Sequence, residues 1–339
     1  MKHPTRRIVI TQRFFGEEAI AYLEARGCEA VIAPLAPGKG DGDFSEDELA
    51  ALLAGAAGWI VGHAHVTRAL LARLPQLQIV SRRGVGFERV DVAAVRDLGK
   101  VACIAVGGND ASVADHTLAL MLAVGHRLRE TQANMQAGNW SILLGNDLYR
   151  RTVGVIGLGR IGRAVVQRLR GFEAEVLVLN ATRDEAYAAQ QGIAYADLDA
   201  LLAKSDYVTI HAPLTPATRH IIGEAALARM KPTAFLINTA RGGLVDDRAL
   251  LAALEGKQIA GAALDVFESE SDSTLRAVTN ALIALPNVIA TPHAGASSHE
   301  GLARTNMIAA RNVVAVIEGA SPPEACVVAD GRAREAIAS

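Results

Sequence analysis

The chain is poor in residues that staple a fold or hold a metal. Three cysteines in 339 residues, Cys28, Cys103 and Cys326, lie too far apart for a metal-ligand spacing or a disulfide framework. Two of them stand among apolar residues and read as inert core thiols, and no metal site is expected. No apolar run approaches the length of a bilayer span, so no membrane association is expected. Charge of one sign is also missing: 34 basic residues face 36 acidic ones, net -2, which gives no broad electrostatic reason to bind nucleic acid. The pairs Arg82-Arg83 and Arg150-Arg151 read as solvated or site-specific charges. Met1 to Ile10 enters a strand directly without the apolar region of a signal peptide, so the cytoplasm is the expected compartment. There is no short-period repeat and no low-complexity tract.

What is present is alternation. Strand-like runs at Arg7–Ile10, Val31–Ala33, Trp59–Val61, Gln78–Ser81 and Val101–Ile104 are separated by helical patterns around Glu17–Arg26, Glu46–Leu53 and Val92–Leu98. This is a parallel α/β pattern. Ser45 with Glu48 forms a capping box for the second helix. A single long apolar-periodic helix is expected from Ser112 to about Gln136. The alternation then restarts at Thr152–Ile156, Glu175–Leu179, Tyr207–Ile210, Ala234–Asn238, Ile259–Leu264 and Val288–Ala290, six strands and enough for a doubly wound sheet. A helix from about His299 to Glu318 leads to a polar tail, Asp330–Ser339, expected to be poorly fixed. The length suits two domains.

The decisive motif is Val-Gly-Val-Ile-Gly-Leu-Gly-Arg-Ile-Gly at 153–162. A G-x-G-x-x-G loop after an apolar strand and before a helix is a phosphate-cradling dinucleotide turn. Gly157 would permit the tight turn, Gly159 would let backbone approach a pyrophosphate, and Gly162 would let the helix pack closely. The helix start at Arg160 and Ile161 would offer amides and the positive end of the helix dipole. Its mid-chain position implies a cofactor domain inserted into another domain.

Polar residues cluster at three later strand ends, where open parallel sheets bind ligands: Asn238-Thr239-Ala240-Arg241-Gly242, Asp265-Val266-Phe267-Glu268-Ser269-Glu270 and Thr291-Pro292-His293-Ala294-Gly295. With Gly84-Val85-Gly86, Ser112-Val113-Ala114-Asp115-His116 and His211-Ala212-Pro213-Leu214-Thr215, these segments resemble the D-isomer-specific 2-hydroxyacid dehydrogenase family over nearly the whole chain. The resemblance implies a Rossmann-type cofactor domain inserted into a flavodoxin-like substrate domain, with residues 1–105 and 296–339 in the substrate domain and 106–295 in the cofactor domain. It implies NAD(P)-dependent interconversion of a 2-keto acid and a D-2-hydroxy acid. His293 would be the acid or base, Glu270 its orienting partner with Glu268 as the rival, and Arg241 the fork for a substrate carboxylate. Backbone amides of Val85 and Gly86 would complete the carboxylate cradle. Coenzyme contacts would come from Gly157, Gly159, Arg160, Ile161, Gly162, His211, Pro213, Thr239, Ala240, Asp265 and Gly295, with Val113 bordering the nicotinamide or packing in the core. A homodimer is expected.

Two features depart from the family pattern. Ser271-Asp272-Ser273 follow Glu270 where proline is usual. Asn180 ends the second strand of the cofactor domain where an NAD-specific member presents a carboxylate, and Thr182 and Arg183 stand ready for a 2'-phosphate, so NADP is expected in preference to NAD. The substrate reading is a glyoxylate or hydroxypyruvate reductase. The alternatives are a D-3-phosphoglycerate dehydrogenase-like enzyme, which would lack the length for an added regulatory domain, and a non-catalytic dinucleotide-sensing binding protein.

Overall fold

A computed structural model describes residues 6–332. The chain forms two compact units, Met1–Asn109 with Ala296–Ser339, and Asp110–Gly295, so the second interrupts the first in sequence. Strands in chain order are β1 (Arg6–Ile10), β2 (Cys28–Ile32), β3 (Gly58–Val61), β4 (Ile79–Arg82), β5 (Val101–Ile104), β6 (Thr152–Ile156), β7 (Glu175–Leu179), β8 (Ala194–Tyr195), β9 (Tyr207–Ile210), β10 (Phe235–Asn238), β11 (Gly261–Leu264), β12 (Val288–Ala290) and β13 (Val327–Asp330).

The first unit is a six-stranded sheet in the order β2-β1-β3-β4-β5-β13. All neighbours are parallel except β13, which runs antiparallel to β5. β3 and β4 are buried at every position, as parallel strands covered on both faces must be. One face packs Ile8, Ile10, Ile60 and Ile79 against Ala309, Val313 and Ile317 of the helix His299–Ile317. The other packs Val9, Trp59, Val61 and Val80 against Leu49, Leu53, Leu70 and Leu71. The buried Trp59 needs a partner for its ring N–H, and Nε1 donates to Thr11 Oγ1 at 2.9 Å. Thr11 Oγ1 donates in turn to Asp41 Oδ2 at 3.1 Å. Asp41 also accepts the amides of Gly62 and His63 at 2.6 and 2.8 Å, fixing the loop that leaves β3.

The second unit is an all-parallel seven-stranded sheet in the order β8-β7-β6-β9-β10-β11-β12. Strand order reverses between β6 and β9, the topological switch point of this sheet. Helix Asp110–Gly125 contributes Ala114, Leu118, Met121 and Val124 to one face, together with Val165, Val166 and Leu169 of helix Arg160–Leu169.

Three expectations are corrected. The helix expected over Ser112–Gln136 is two helices, Asp110–Gly125 and Leu128–Gln136. It stops where Gly125 meets Tyr207 so closely that a Cβ would lie 2.3 Å from the phenol oxygen, and where Gly125 O accepts the amide of Asn146 at 2.8 Å. Arg127 then turns left-handed at φ 55°. The cofactor sheet has a seventh strand, the two-residue β8, too short to leave a periodicity in the sequence. Asp330 belongs to the edge strand β13 instead of beginning a loose tail; residues 333–339 lie outside the described residues. The Ser45–Glu48 capping box forms in full. All three cysteines are free and buried, and burial pushes the Cys103 thiol up to about 12.

Candidate active site

Close backbone approach explains two of the three motif glycines. Gly157 adopts φ 98°, and a Cβ there would fall 2.6 Å from Ala212 N and 2.7 Å from His211 C, so the loop after β6 touches the chain leaving β9. A Cβ on Gly162 would lie 2.2 Å from Gly157 O. The third glycine thus lets the helix approach the turn itself. Gly159 is different: a Cβ there meets nothing within 4 Å. It is the N-cap of Arg160–Leu169, and no side chain caps this helix end. Its orphan amides and dipole face open space, the arrangement that suits a pyrophosphate.

Asn180 stands at the end of β7 and serves the loop. Its Oδ1 accepts the amide of Leu158 at 2.9 Å, and its Nδ2 donates to Thr182 O at 2.6 Å. Arg183 is exposed and lies over the ring of Tyr195 at 5.5 Å. His211 follows β9 with Nε2 3.0 Å from Thr209 Oγ1, while its buried Nδ1 has no partner. Burial pushes the imidazole down to about 3, so His211 is neutral at every ordinary pH. Pro213 is exposed two residues on.

Arg241 is carried by a turn that Asn238 organises. The Asn238 side chain accepts from Ala240 N at 3.0 Å and donates to Arg241 O at 2.8 Å. Thr239 Oγ1 is 2.9 Å from Thr117 Oγ1. Arg241 Nη1 donates to Ala240 O at 2.7 Å. The next residue, Gly242, abuts the chain after β11: a Cβ on it would fall 2.2 Å from Phe267 C and 2.6 Å from Glu268 N. The turn bearing Arg241 is thereby pressed against the turn Glu268–Glu270.

From that turn Glu270 reaches His293, with Oε2 2.7 Å from Nδ1. Both side chains are partly exposed, at 41% and 38%. Burial raises the Glu270 pKa, but the bonds from His293 and from Phe267 N outweigh it and hold the carboxyl below its usual value. A carboxylate on Nδ1 favours the proton there and leaves Nε2 to exchange one with a ligand. His293 itself is left-handed, φ 54°. The loop that imposes this conformation hangs on Asp265: its backbone O accepts from His293 N at 2.8 Å, and its carboxylate accepts from Thr291 Oγ1, Ala294 N and Gly295 N at 2.5, 2.7 and 2.8 Å. His116 Nε2 lies 3.4 Å from the same carboxylate. Burial raises the Asp265 pKa, and these bonds more than reverse it. Asp265 thus spends its oxygens bracing the His293 loop. Gly295 is where a Cβ would crowd that carboxylate at 3.0 Å and would meet Val113 at 3.7 Å.

Glu268 has other company. It is buried, 2.7 Å from His220 Nε2 and 3.4 Å from Arg219, and accepts Asp247 N at 3.1 Å while Asp247 accepts Glu268 N at 3.0 Å. Val85 and Gly86 belong to the first unit, half-buried beside Gly84, whose carbonyl accepts from Ala105 N. Sequence reading placed Asn238 and His116 in matching segments without assigning either a role, and it missed Asp247. Asn238 ends a strand and Asp247 opens a helix, positions where a polar residue ordinarily caps or turns.

Asp247 carries a pH prediction. Burial, aided by the Glu268 carboxylate, lifts its carboxyl to about 7 against the Glu268 amide. The folded chain therefore holds a proton that the unfolded chain releases near pH 4. The contribution is full below that pH and is lost as pH climbs through about 7. Asp247→Asn, which keeps an oxygen for Glu268 N and has no charge to bury, should be more stable than the parent at pH 8 by up to roughly 4 kcal/mol and so unfold at a higher temperature. At pH 4 the two should match in thermal denaturation; an equal gap at both pH values refutes this reading.

Residues 118–295 match the sequence model of the family "D-isomer specific 2-hydroxyacid dehydrogenase, NAD binding domain". The chain belongs to the D-isomer specific 2-hydroxyacid dehydrogenase family. A glyoxylate reductase of Korarchaeum cryptofilum is 40% identical over 219 residues, 62% of this chain and 66% of that protein. A D-3-phosphoglycerate dehydrogenase of Methanocaldococcus jannaschii is 39% identical over 227 residues, 66% of this chain and 42% of that protein. The match thus spans less than two thirds of either relative. Among solved structures, D-lactate dehydrogenase from Aquifex aeolicus, complexed with NAD and lactic acid, superposes with TM-score 0.80 at 28% identity, covering 95% of this chain and 99% of that one. As in other members of this dehydrogenase family, the second unit is an NAD-binding Rossmann domain. Among the described residues no helix is long and apolar enough to cross a membrane.

Proposed function

We propose that this chain reduces a 2-keto acid to a D-2-hydroxy acid, or the reverse, with a nicotinamide coenzyme. The observation that carries this reading is the Glu270–His293 pair on a loop braced by Asp265, connected through Gly242 to the turn that presents Arg241. Arg241 would take the substrate carboxylate in its planar fork. His293 would give its proton to the carbonyl oxygen as that oxygen gains charge and remove it in the oxidative direction, while Glu270 holds the ring in place through Nδ1. The amides of Val85 and Gly86 are proposed as further carboxylate donors. The coenzyme would be held by the Gly157–Gly162 loop and the amides of Arg160 and Ile161, with Pro213, Thr239, Ala240 and Gly295 as further candidate contacts; it supplies or accepts the hydride.

Coenzyme preference is the finer point. The family model and the NAD-complexed relative support NAD. Asn180 places no carboxylate at the end of β7, and Thr182 and Arg183 are exposed there, which supports acceptance of NADPH as well. The substrate class is a small 2-keto acid such as glyoxylate or hydroxypyruvate, with phosphoglycerate chemistry as the alternative. Steady-state rates with a panel of 2-keto acids, each with NADH and NADPH, test all of this. Coenzyme binding without turnover across the panel would favour a dinucleotide sensor instead.

The protein is also proposed to act as a homodimer in the cytoplasm. Trp140, Ile142 and Leu144 alternate along an irregular stretch and are 80%, 90% and 85% exposed, an apolar surface a monomer rarely shows to water. Light scattering should give the mass of two chains, and Ile142→Ser with Leu144→Ser should halve it. A monomeric parent contradicts the proposal.

A further inference from the structure

The first unit has a switch point of its own. Its parallel strands run 2-1-3-4-5, so the order reverses between β1 and β3, where such sheets open a crevice at the carboxyl ends of the strands. A cavity of about 360 Å³ lies there. It is lined by Gln12 and Arg13 after β1, His63 after β3, Arg83 after β4, Asp41, and His299 at the start of the 19-residue helix.

The charges in this cavity are unevenly satisfied. Asp41 accepts from Thr11 Oγ1, Gly62 N and His63 N, neutral donors that hold its carboxylate in place and leave its charge intact, so two arginines against one carboxylate keep the lining net positive. The two arginines are held by carbonyls alone: Arg13 Nη2 donates to Leu35 O and Ala36 O, and Arg83 Nη1 donates to Arg13 O at 2.6 Å. Carbonyls orient a guanidinium without neutralising it. Arg13 Nε is buried with no partner, and neither arginine has a carboxylate within ion-pair distance among the described residues. Burial lowers the Arg83 pKa, partly offset by Asp41, so its cation is held at a cost in hydration. The amino end of the long helix adds its positive dipole to the same space.

We propose that this cavity binds a small oxyanion carrying two negative charges, a phosphate group or a dicarboxylate, between Arg13 and Arg83 at the start of the helix. Two planar forks fixed in advance and a helix end recognise two charges spread over several oxygens. A lone carboxylate leaves one fork unpaired. The volume fits a molecule of a few heavy atoms beyond the anionic group.

Calorimetric titration of the full chain at low ionic strength with inorganic phosphate, malonate and acetate tests the assignment, with no dependence on turnover. Phosphate or malonate should bind at least tenfold more tightly than acetate, and the tighter of the two names the source. Arg13→Gln should weaken that binding at least tenfold with an unchanged melting temperature. Arg83→Gln, where it folds, should do the same. Absence of dianion binding, acetate binding as tightly, or unchanged affinity in Arg13→Gln would each overturn the proposal; the last would assign any bound anion to the glycine loop or Arg241.

Discussion

Replacing His293 with Asn should lower kcat about 1,000-fold while leaving coenzyme affinity and melting temperature close to those of the parent. Asparagine tolerates the left-handed backbone that His293 adopts at φ 54°, so the loop is not strained by the change. It also keeps a polar group near Glu270, 2.7 Å from the imidazole in the parent. What it loses is the proton. General acid–base catalysis contributes roughly 100- to 10,000-fold, so a loss of about 4 kcal/mol of transition-state stabilisation is the expected scale. Because the imidazole is 38% exposed, a fall in stability comparable to the fall in rate would mean that the histidine is structural.

The second large effect is expected at a residue with no reactive atom. Gly242→Ala would place a methyl group 2.2 Å from Phe267 C and 2.3 Å from Phe267 O, both backbone atoms that cannot rotate away. The turn carrying Arg241 and the turn carrying Glu270 must then separate. A misplacement on the order of 1 Å costs roughly 100-fold in a preorganised site, and overpacking of this kind costs about 1–3 kcal/mol of stability. The expected result is kcat/KM lower by about two orders of magnitude with NADH affinity within about threefold of the parent. Coenzyme titration by fluorescence separates a loss at Arg241 and Glu270 from a loss through Thr239 and Ala240, the candidate coenzyme contacts on the same turn. Unchanged kcat/KM in Gly242→Ala would show that the contact between the turns is not needed.

The alternation of strands and helices was readable because buried parallel strands are apolar runs and the helices between them keep a 3.6-residue spacing. What escaped was structure without periodicity. β8 is two residues long, and β13 pairs with β5 through contacts distant in sequence. The break after Gly125 comes from Tyr207 and Asn146, and no local pattern announces either. At the candidate site, the residues proposed to touch a ligand stand out as polar groups at strand ends, whereas those that hold them do not. Choosing between Glu268 and Glu270 by spacing needed a family pattern; in the structure Glu268 is committed to His220 and Asp247, and Glu270 to His293. Asp265 is expected from the sequence as a coenzyme contact; in the structure it also accepts four internal hydrogen bonds that fix the His293 loop, a role that only three-dimensional neighbours disclose. Asn180 likewise read as a missing ribose ligand, and its side chain proves to tie Leu158 to Thr182.

The most direct measurement is transfer of deuterium from NADH labelled at the reactive C4 position to a 2-keto acid, followed by chiral analysis of the product. Deuterium at C2 of the D-2-hydroxy acid, abolished in step with kcat in His293→Asn, is the expected result. Coenzyme that binds without transferring its label to any 2-keto acid, or label found in the L-enantiomer, would contradict the account.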